Sequence, residues 1–292
     1  MKTLVTGAGG QLGSELRKLA PDRPEARFVF VDRADMPLDD LRAVGTILDE
    51  IRPEMIVSAG AYTAVDRAES EPDMADIVNH QSVRAMAEWA AKNGAKLIHI
   101  STDYVFPGDN PEPLKEDEPT GPVNVYGRTK ERGERAVLES GADAIILRTA
   151  WLYSAYGANF VKTMLRLMAE RDEVSVIADQ IGSPTYARDL AKAVLHIALC
   201  EKWVNGIFHF SNEGAVSWHG FALAIRDLAG LECTVNAIPT ERYPTPAKRP
   251  KYSLLDKTKI KDTFGVQVPE WRESLREMLE SYWLSAKSQQ LN

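Results

Sequence analysis

Tyr126 and Lys130 stand four residues apart in the string Tyr126-Gly127-Arg128-Thr129-Lys130, which puts a phenol and an ammonium one turn apart on a single helix face. Upstream, Ser101-Thr102-Asp103 closes a β-rich run. Together these groups suit the reduction of a carbonyl. A hydride that reaches the carbon turns its oxygen into an alkoxide, which needs a proton in the transition state. A free phenol titrates at about 10, some three units above working pH, or roughly 4 kcal/mol. An ammonium beside the phenol favours the phenolate and narrows that gap. A Thr hydroxyl bonded to the carbonyl oxygen holds it for transfer. A YxxxK spacing alone is common on exposed helices, so its meaning rests on what surrounds it.

What surrounds it begins at Gly7-Ala8-Gly9-Gly10-Gln11-Leu12-Gly13, between a first strand and a first helix. Gly7, Gly10 and Gly13 allow a tight turn, close backbone approach to a pyrophosphate and close helix–sheet packing, and the helix N-terminus offers free N–H groups to phosphate. The spacing is GxxGxxG, the short-chain dehydrogenase form. Asp32 ends the second strand, 19 residues after Gly13, where a carboxylate accepts ribose hydroxyls. Arg33 follows and suits the 2′-phosphate of NADP, so the pair leaves NADH and NADPH both open.

Strands are expected at Lys2–Thr6, Phe28–Val31, Met55–Ser58, Lys96–Ser101 and Ala144–Arg148, with helices at Leu12–Ala20, Leu41–Ile51, Asp73–Asn93 and Tyr126–Ser140 between or after them. Repeated β-α-β units call for an α/β fold with a doubly wound parallel sheet. Thr102 then falls at the C-terminal end of the fourth strand, where ligands bind in such sheets. Arg52 before Pro53, and Gly94, mark helix stops. Later come helices at Phe160–Arg171, Ala187–Leu199 and Trp218–Ala229, a strand at Gly206–Phe210 and a last helix around Trp271–Trp283. The expected division is a dinucleotide-binding domain over residues 1–150, returning at about 187–211, and a smaller α/β substrate-binding domain from 151–186 and 212–292. The loop from Phe106 to Pro122 carries five prolines in 17 residues, a density usual in functional or mobile loops.

Composition narrows the class. Against 42 Asp and Glu stand 35 Lys and Arg, a net charge of −7, which leaves no cation excess for a nucleic-acid backbone. No apolar run approaches the roughly 18 residues of a membrane helix, and the start lacks a signal-peptide core, so a cytoplasmic protein is expected. Cys200 and Cys233 are the only cysteines, and the five histidines show no metal-binding spacing, so neither a disulfide framework nor a metal site is indicated. Tyr104 occupies the position where sugar-nucleotide dehydratases carry an acid after the Thr-Asp pair, which disfavours elimination.

With these motifs the sequence resembles the dTDP-4-dehydrorhamnose reductases of the extended short-chain dehydrogenase superfamily. The shared strings are GAGGQLG, AYTAVDRAE at 61–69, STDYVFPG at 101–108, NVYGRTK at 124–130, RTAWLY at 148–153, NFVKTMLRL at 159–167, GSPTYARDLA at 182–191 and YPTPAKRP at 243–250. The resemblance implies a Rossmann-like fold and NADPH- or NADH-dependent reduction of the 4-keto group of dTDP-4-dehydro-β-L-rhamnose to dTDP-L-rhamnose, the last step of that precursor's synthesis. By position it makes Tyr126 the proton donor, Lys130 its tuner and ribose contact, and Thr102 the helper hydroxyl. It places Gly10, Gln11 and Leu12 along the pyrophosphate, and Asp32, Asp39 and Asp40 near the adenosine. Ala61, Tyr62 and Thr63 follow along the cofactor, and Thr102, Asp103 and Trp151 contact substrate. Trp151 equally suits the core of the cap, and Lys248 and Arg249 suit either the substrate diphosphate or plain surface.

Two departures stand out. The usual VNAAAYT reads VSAGAYT here, with Ser58 and Gly60. Some members hold Mg²⁺ at a dimer interface through acids, one matching Glu15, but a second acidic position is Arg188, which cannot ligate a cation. Monomer and homodimer both stay open. Two rival functions share the resemblance: a non-catalytic NADP-binding regulatory subunit like the beta subunit of methionine adenosyltransferase, and a reductase or epimerase of another nucleotide sugar.

Overall fold

The computed structural model describes residues 1–290, with side chains through Leu284. Five runs rich in β-branched residues form β1 (Lys2–Thr6), β2 (Arg27–Val31), β3 (Met55–Ser58), β4 (Lys96–Thr102) and β5 (Asp143–Thr149). With Gly206–His209 they make one parallel sheet in the order Gly206–His209, β5, β4, β3, β1, β2. The register sets Val5 beside Val57, Ile98 beside Ile145 and Thr102 beside Thr149. The strand order reverses between β1 and β3, which opens a crevice at the carboxyl ends of the strands.

Both faces of the sheet are covered, which is why its strands carry few charges away from their ends. Val5, Val57, Ile98, Ile145 and Leu147 pack against the helices Gln11–Leu19 and Ala187–Leu199. On the other face Leu4, Ile56, Leu97 and Ile146 meet the helices Leu41–Ile51 and Ser82–Asn93. A separate core unites Tyr153, Val161, Met164, Tyr186, Phe221, Ile225, Leu275 and Met278 from the later segments.

The chain departs from expectation at four places. Asp73–Asn93 is not one helix. It runs as Pro72–Asp76, a π-helical turn at Ile77–Gln81, then Ser82–Asn93, and the extra residue of the turn brings Asn79 inward. Two unforeseen strands, Glu173–Ile177 and Thr234–Ile238, pair in parallel outside the main sheet. The short helix Thr258–Phe264 was not legible either. The Pro-rich loop is pinned rather than loose. Leu114 N–H donates to the Leu254 carbonyl, and Asp256 N–H donates to the Leu114 carbonyl, each at 2.8 Å.

Candidate active site

Thr102 ends β4, and every other predicted site residue lies on a loop or helix that follows β1, β2, β3, β4 or β5. After β1, Gly7 adopts φ +67°, and its N–H-bonded turn to Gly10 closes at 2.9 Å. A Cβ on Gly7 would stand 2.6 Å from the Gly60 Cα, and one on Gly13 only 2.3 Å from the Gly7 carbonyl oxygen. Any side chain there would fill the turn. Gly10 caps the helix Gln11–Leu19 with no side-chain bond to its first turn, which leaves backbone N–H groups for a phosphate. Leu12 is buried core, which leaves its side chain no part in a binding site. The Gln11 side chain is occupied: its Nε2 donates to the Leu152 carbonyl at 3.3 Å, and its Oε1 accepts from Asn159 at 3.1 Å.

After β2, Asp32 Oδ1 accepts the Ala34 N–H at 2.8 Å. Arg33 is 83% exposed and reaches Asp39 at 2.8 Å, so acid and base stand together beside the end of β2. Asp40 is committed elsewhere, since its Oδ1 caps the helix Leu41–Ile51 through the N–H groups of Arg42 and Ala43.

After β3, the loop Ala61-Tyr62-Thr63 is held by Asn79. Its Oδ1 accepts the Tyr62 N–H at 2.8 Å, and its Nδ2 donates to the Tyr62 carbonyl and to Thr129 Oγ1, each at 3.1 Å. Asn79 therefore couples the cofactor loop to the helix Val125–Glu139. The Tyr62 hydroxyl donates to Glu71 at 2.7 Å.

The groups suited to proton transfer converge after β4. Thr102 Oγ1 accepts the Tyr104 N–H at 3.2 Å and donates to Asp103 Oδ1 at 3.0 Å. Asn124 caps the helix Val125–Glu139 through the Gly127 N–H at 2.8 Å. Gly127 lets this helix lie on the chain after β4, because a Cβ would stand 2.2 Å from the Tyr104 carbonyl oxygen. Tyr126 is thereby set edge-on to Tyr104, ring centroids 5.5 Å apart. Burial pushes the Tyr126 phenol up to about 12, partly offset by the neighbouring Thr102 hydroxyl. Burial likewise raises Asp103 to about 6, while Ser253 and Thr102 favour its ionised form. Tyr104 is raised further, by burial first and then by the Asp103 charge.

The Lys130 ammonium donates to the Ile100 carbonyl at 2.7 Å and to His99 Nε2 at 3.2 Å. Burial lowers Lys130 to about 8, opposed by the Glu134 charge. Glu134 itself is buried and paired. Arg148 grips both its oxygens, the closest contact at 2.7 Å, and Ser101 donates to Oε1 at 2.5 Å.

Trp151 follows β5 in the left-handed region at φ +47°, costly for a bulky residue and a conformation that clusters at ligand sites. Its indole lies flat on Trp218, 3.6 Å between centroids and 8° between planes. The Pro-rich stretch before Lys251 is stitched to the same wall. Arg249 pairs with Asp66 at 2.8 Å, and Asn124 Nδ2 donates to the Lys248 carbonyl at 2.7 Å.

A family model described as RmlD substrate binding domain matches residues 1–284. A protein from Aggregatibacter actinomycetemcomitans named dTDP-4-dehydrorhamnose reductase is 44% identical, over 94% of this chain and 97% of its own. The chain belongs to the dTDP-4-dehydrorhamnose reductase family. Two solved reductase structures from the family superpose closely. One, from Clostridium acetobutylicum, has a TM-score of 0.92 at 39% identity, covering 96% of this chain and 99% of its own. The other, from Bacillus anthracis in complex with NADP, has a TM-score of 0.89 at 40% identity with the same coverage.

Against the family's Mg²⁺ option, Arg188 Nε donates to Glu15 Oε2 at 3.0 Å, and its other nitrogens reach Glu277 at 3.3 Å and Ser281 at 3.0 Å. A guanidinium thus stands on the one carboxylate that matches a metal ligand, and the residues present do not fit a divalent ion. Sequence reading missed Asn79, His99, Glu134, Arg148, Asp66 and Trp218 as parts of this region. Asn79 and His99 gave one faint signal: each is a polar residue on what reads as the buried side of its element.

Proposed function

We propose that the chain reduces the 4-keto group of dTDP-4-dehydro-β-L-rhamnose with NADPH or NADH to give dTDP-L-rhamnose. The observation that carries this reading is the convergence of Thr102, Asp103 and Tyr126 at the end of β4, beside a glycine turn with open backbone donors. The bound nicotinamide supplies the hydride. Gly7, Gly10, Gln11, Leu12 and Gly13 hold the pyrophosphate by backbone groups, with Asp32, Arg33 and Asp39 at the adenosine, and Ala61, Tyr62 and Thr63 along the dinucleotide. Thr102 and Tyr126 bond the carbonyl oxygen, and the Tyr126 phenol delivers its proton as the alkoxide forms. Lys130 holds ribose and keeps a positive charge near the phenolate that remains. Asp103 and Trp151 orient the sugar. Tyr104, a phenol held strongly protonated, occupies the place of an elimination acid and supports reduction over dehydration.

In this reading residues 1–150 and 187–211 form the dinucleotide-binding unit, and residues 151–186 and 212–292 the substrate-binding unit. The protein works in the cytoplasm as a monomer or a metal-independent homodimer on a small-molecule substrate. No helix among the described residues is long and apolar enough to cross a membrane.

The test is loss of 340 nm absorbance from NADPH, then NADH, with the 4-keto sugar nucleotide made in situ from dTDP-glucose. Oxidation that yields dTDP-L-rhamnose establishes the reaction and ranks the cofactors. Tight cofactor binding without oxidation would refute it in favour of a regulatory binding subunit or another nucleotide sugar.

A further inference from the structure

Lys130 rises from the helix Val125–Glu139 into a place where its ammonium is buried, with 2% of the residue exposed. An ammonium has three donors and no acceptor. One goes to the Ile100 carbonyl at 2.7 Å and one to His99 Nε2 at 3.2 Å. The third N–H is then fixed in direction by tetrahedral geometry.

Because the ammonium only donates, His99 Nε2 must accept, so the ring proton sits on Nδ1. That nitrogen lies 3.2 Å from Ser58 Oγ at the end of β3. Ser58 is one of the two departures in the VSAGAYT string, and here its hydroxyl accepts the Nδ1 proton of a completely buried imidazole whose tautomer the ammonium sets. Burial and the Lys130 charge both hold that ring neutral. A neutral acceptor matters. A carboxylate in its place would form an ion pair and quench the field of the ammonium, whereas an imidazole orients it and leaves its charge intact. Glu134, one turn further along the helix, makes no direct bond to it, since Arg148 takes both its oxygens.

The same strand–helix pairing repeats. His99 and Ser101, two apart on β4, face the same side and meet Lys130 and Glu134, four apart on the helix. Both bonds tie the helix to one face of β4.

We infer that His99, bonded to Ser58, is a positioning residue that aims the Lys130 ammonium into the active site. It rests on the proposed role of Lys130, and the experiment separates the two. Turnover and NADPH affinity are measured for His99→Leu, His99→Gln, His99→Asn, Lys130→Ala and the double variant His99→Leu/Lys130→Ala, each checked by thermal melting. Gln places an acceptor where Nε2 stood, Asn reaches only as far as Nδ1, and Leu offers none.

His99→Leu and His99→Asn should each lose roughly 10- to 100-fold in kcat, as expected for a misplaced catalytic group. His99→Gln should recover to within about fivefold of wild type, and the double variant should be no slower than Lys130→Ala, because the two act through one group. If His99→Leu does not fold, the Gln and Asn variants carry the test alone. Equal activity of Gln and Asn, or losses that multiply in the double variant, would overturn the positioning role while leaving Lys130 in place. Wild-type turnover in Lys130→Ala would overturn the role of Lys130 and this inference with it.

Discussion

Tyr126→Phe removes one oxygen and little else. The ring keeps its edge-on packing against Tyr104, and the helix keeps its Asn124 cap, so fold and cofactor site should survive. What is lost is an acid. The phenol, pushed up to about 12 by burial, stays protonated throughout the working range. In its absence the alkoxide must take its proton from water, whose pKa is about 15.7. The gap is about 3.7 units, and a proton half transferred in the transition state realises about half of it, so acidity alone is worth roughly 10². Fixed placement beside Thr102 adds to this, giving an expected loss of about 10²–10⁴ in kcat, or roughly 3–5 kcal/mol. Absorbance at 340 nm reads the turnover, and NADPH fluorescence reads binding. A variant that binds NADPH normally and turns over within twofold of wild type would refute the assignment of Tyr126.

Four further outcomes follow from the same geometry. Lys130, lowered to about 8, is cationic below that pH and neutral above it. Steady-state kcat against pH should therefore fall as pH rises through about 8, and a flat profile to pH 10 would count against an ammonium role. Glu134→Gln leaves Arg148 buried and unpaired, which should cost about 3–5 kcal/mol in urea unfolding. Arg33→Ala should raise KM for NADPH more than for NADH, by up to about tenfold for a lost guanidinium–phosphate contact, and equal effects on both would remove Arg33 from the 2′-phosphate. Because Arg188 already supplies the cation at Glu15, EDTA should leave turnover and oligomeric state unchanged, measured by the absorbance assay and by size exclusion.

Much of the fold could be read from the sequence because a strand covered on both faces has a plain signature. β3 is short and mostly apolar, β4 carries Leu97, Ile98 and Ile100, both are set between helical periods, and a parallel sheet follows from their alternation with helices. Glu173–Ile177 and Thr234–Ile238 escaped notice for the opposite reason. Each carries polar residues at alternate positions and pairs only with the other, so neither shows the run that marks the main sheet. The π-helical turn at Ile77–Gln81 escaped because one extra residue leaves helical periodicity almost intact while rotating Asn79 inward.

The site was legible where chemistry is local and illegible where it is assembled. Gly7 to Gly13, and Tyr126 with Lys130, declare themselves because their partners lie within one turn of chain. The groups that hold them do not. Asn79 reaches 50 residues along the chain to Thr129, His99 reaches 31 residues to Lys130, and Arg249 reaches 183 residues back to Asp66. These distances in sequence collapse because β3, β4 and β5 lie side by side and release their loops at one edge. A one-residue slip of β4 would turn His99 and Ser101 to the opposite face of the sheet and leave Lys130 and Glu134 without their bonds. The hydrophobic alternation that buries Leu97 on one face and Ile98 on the other therefore also fixes which way Lys130 points. Packing and chemistry are set by the same register.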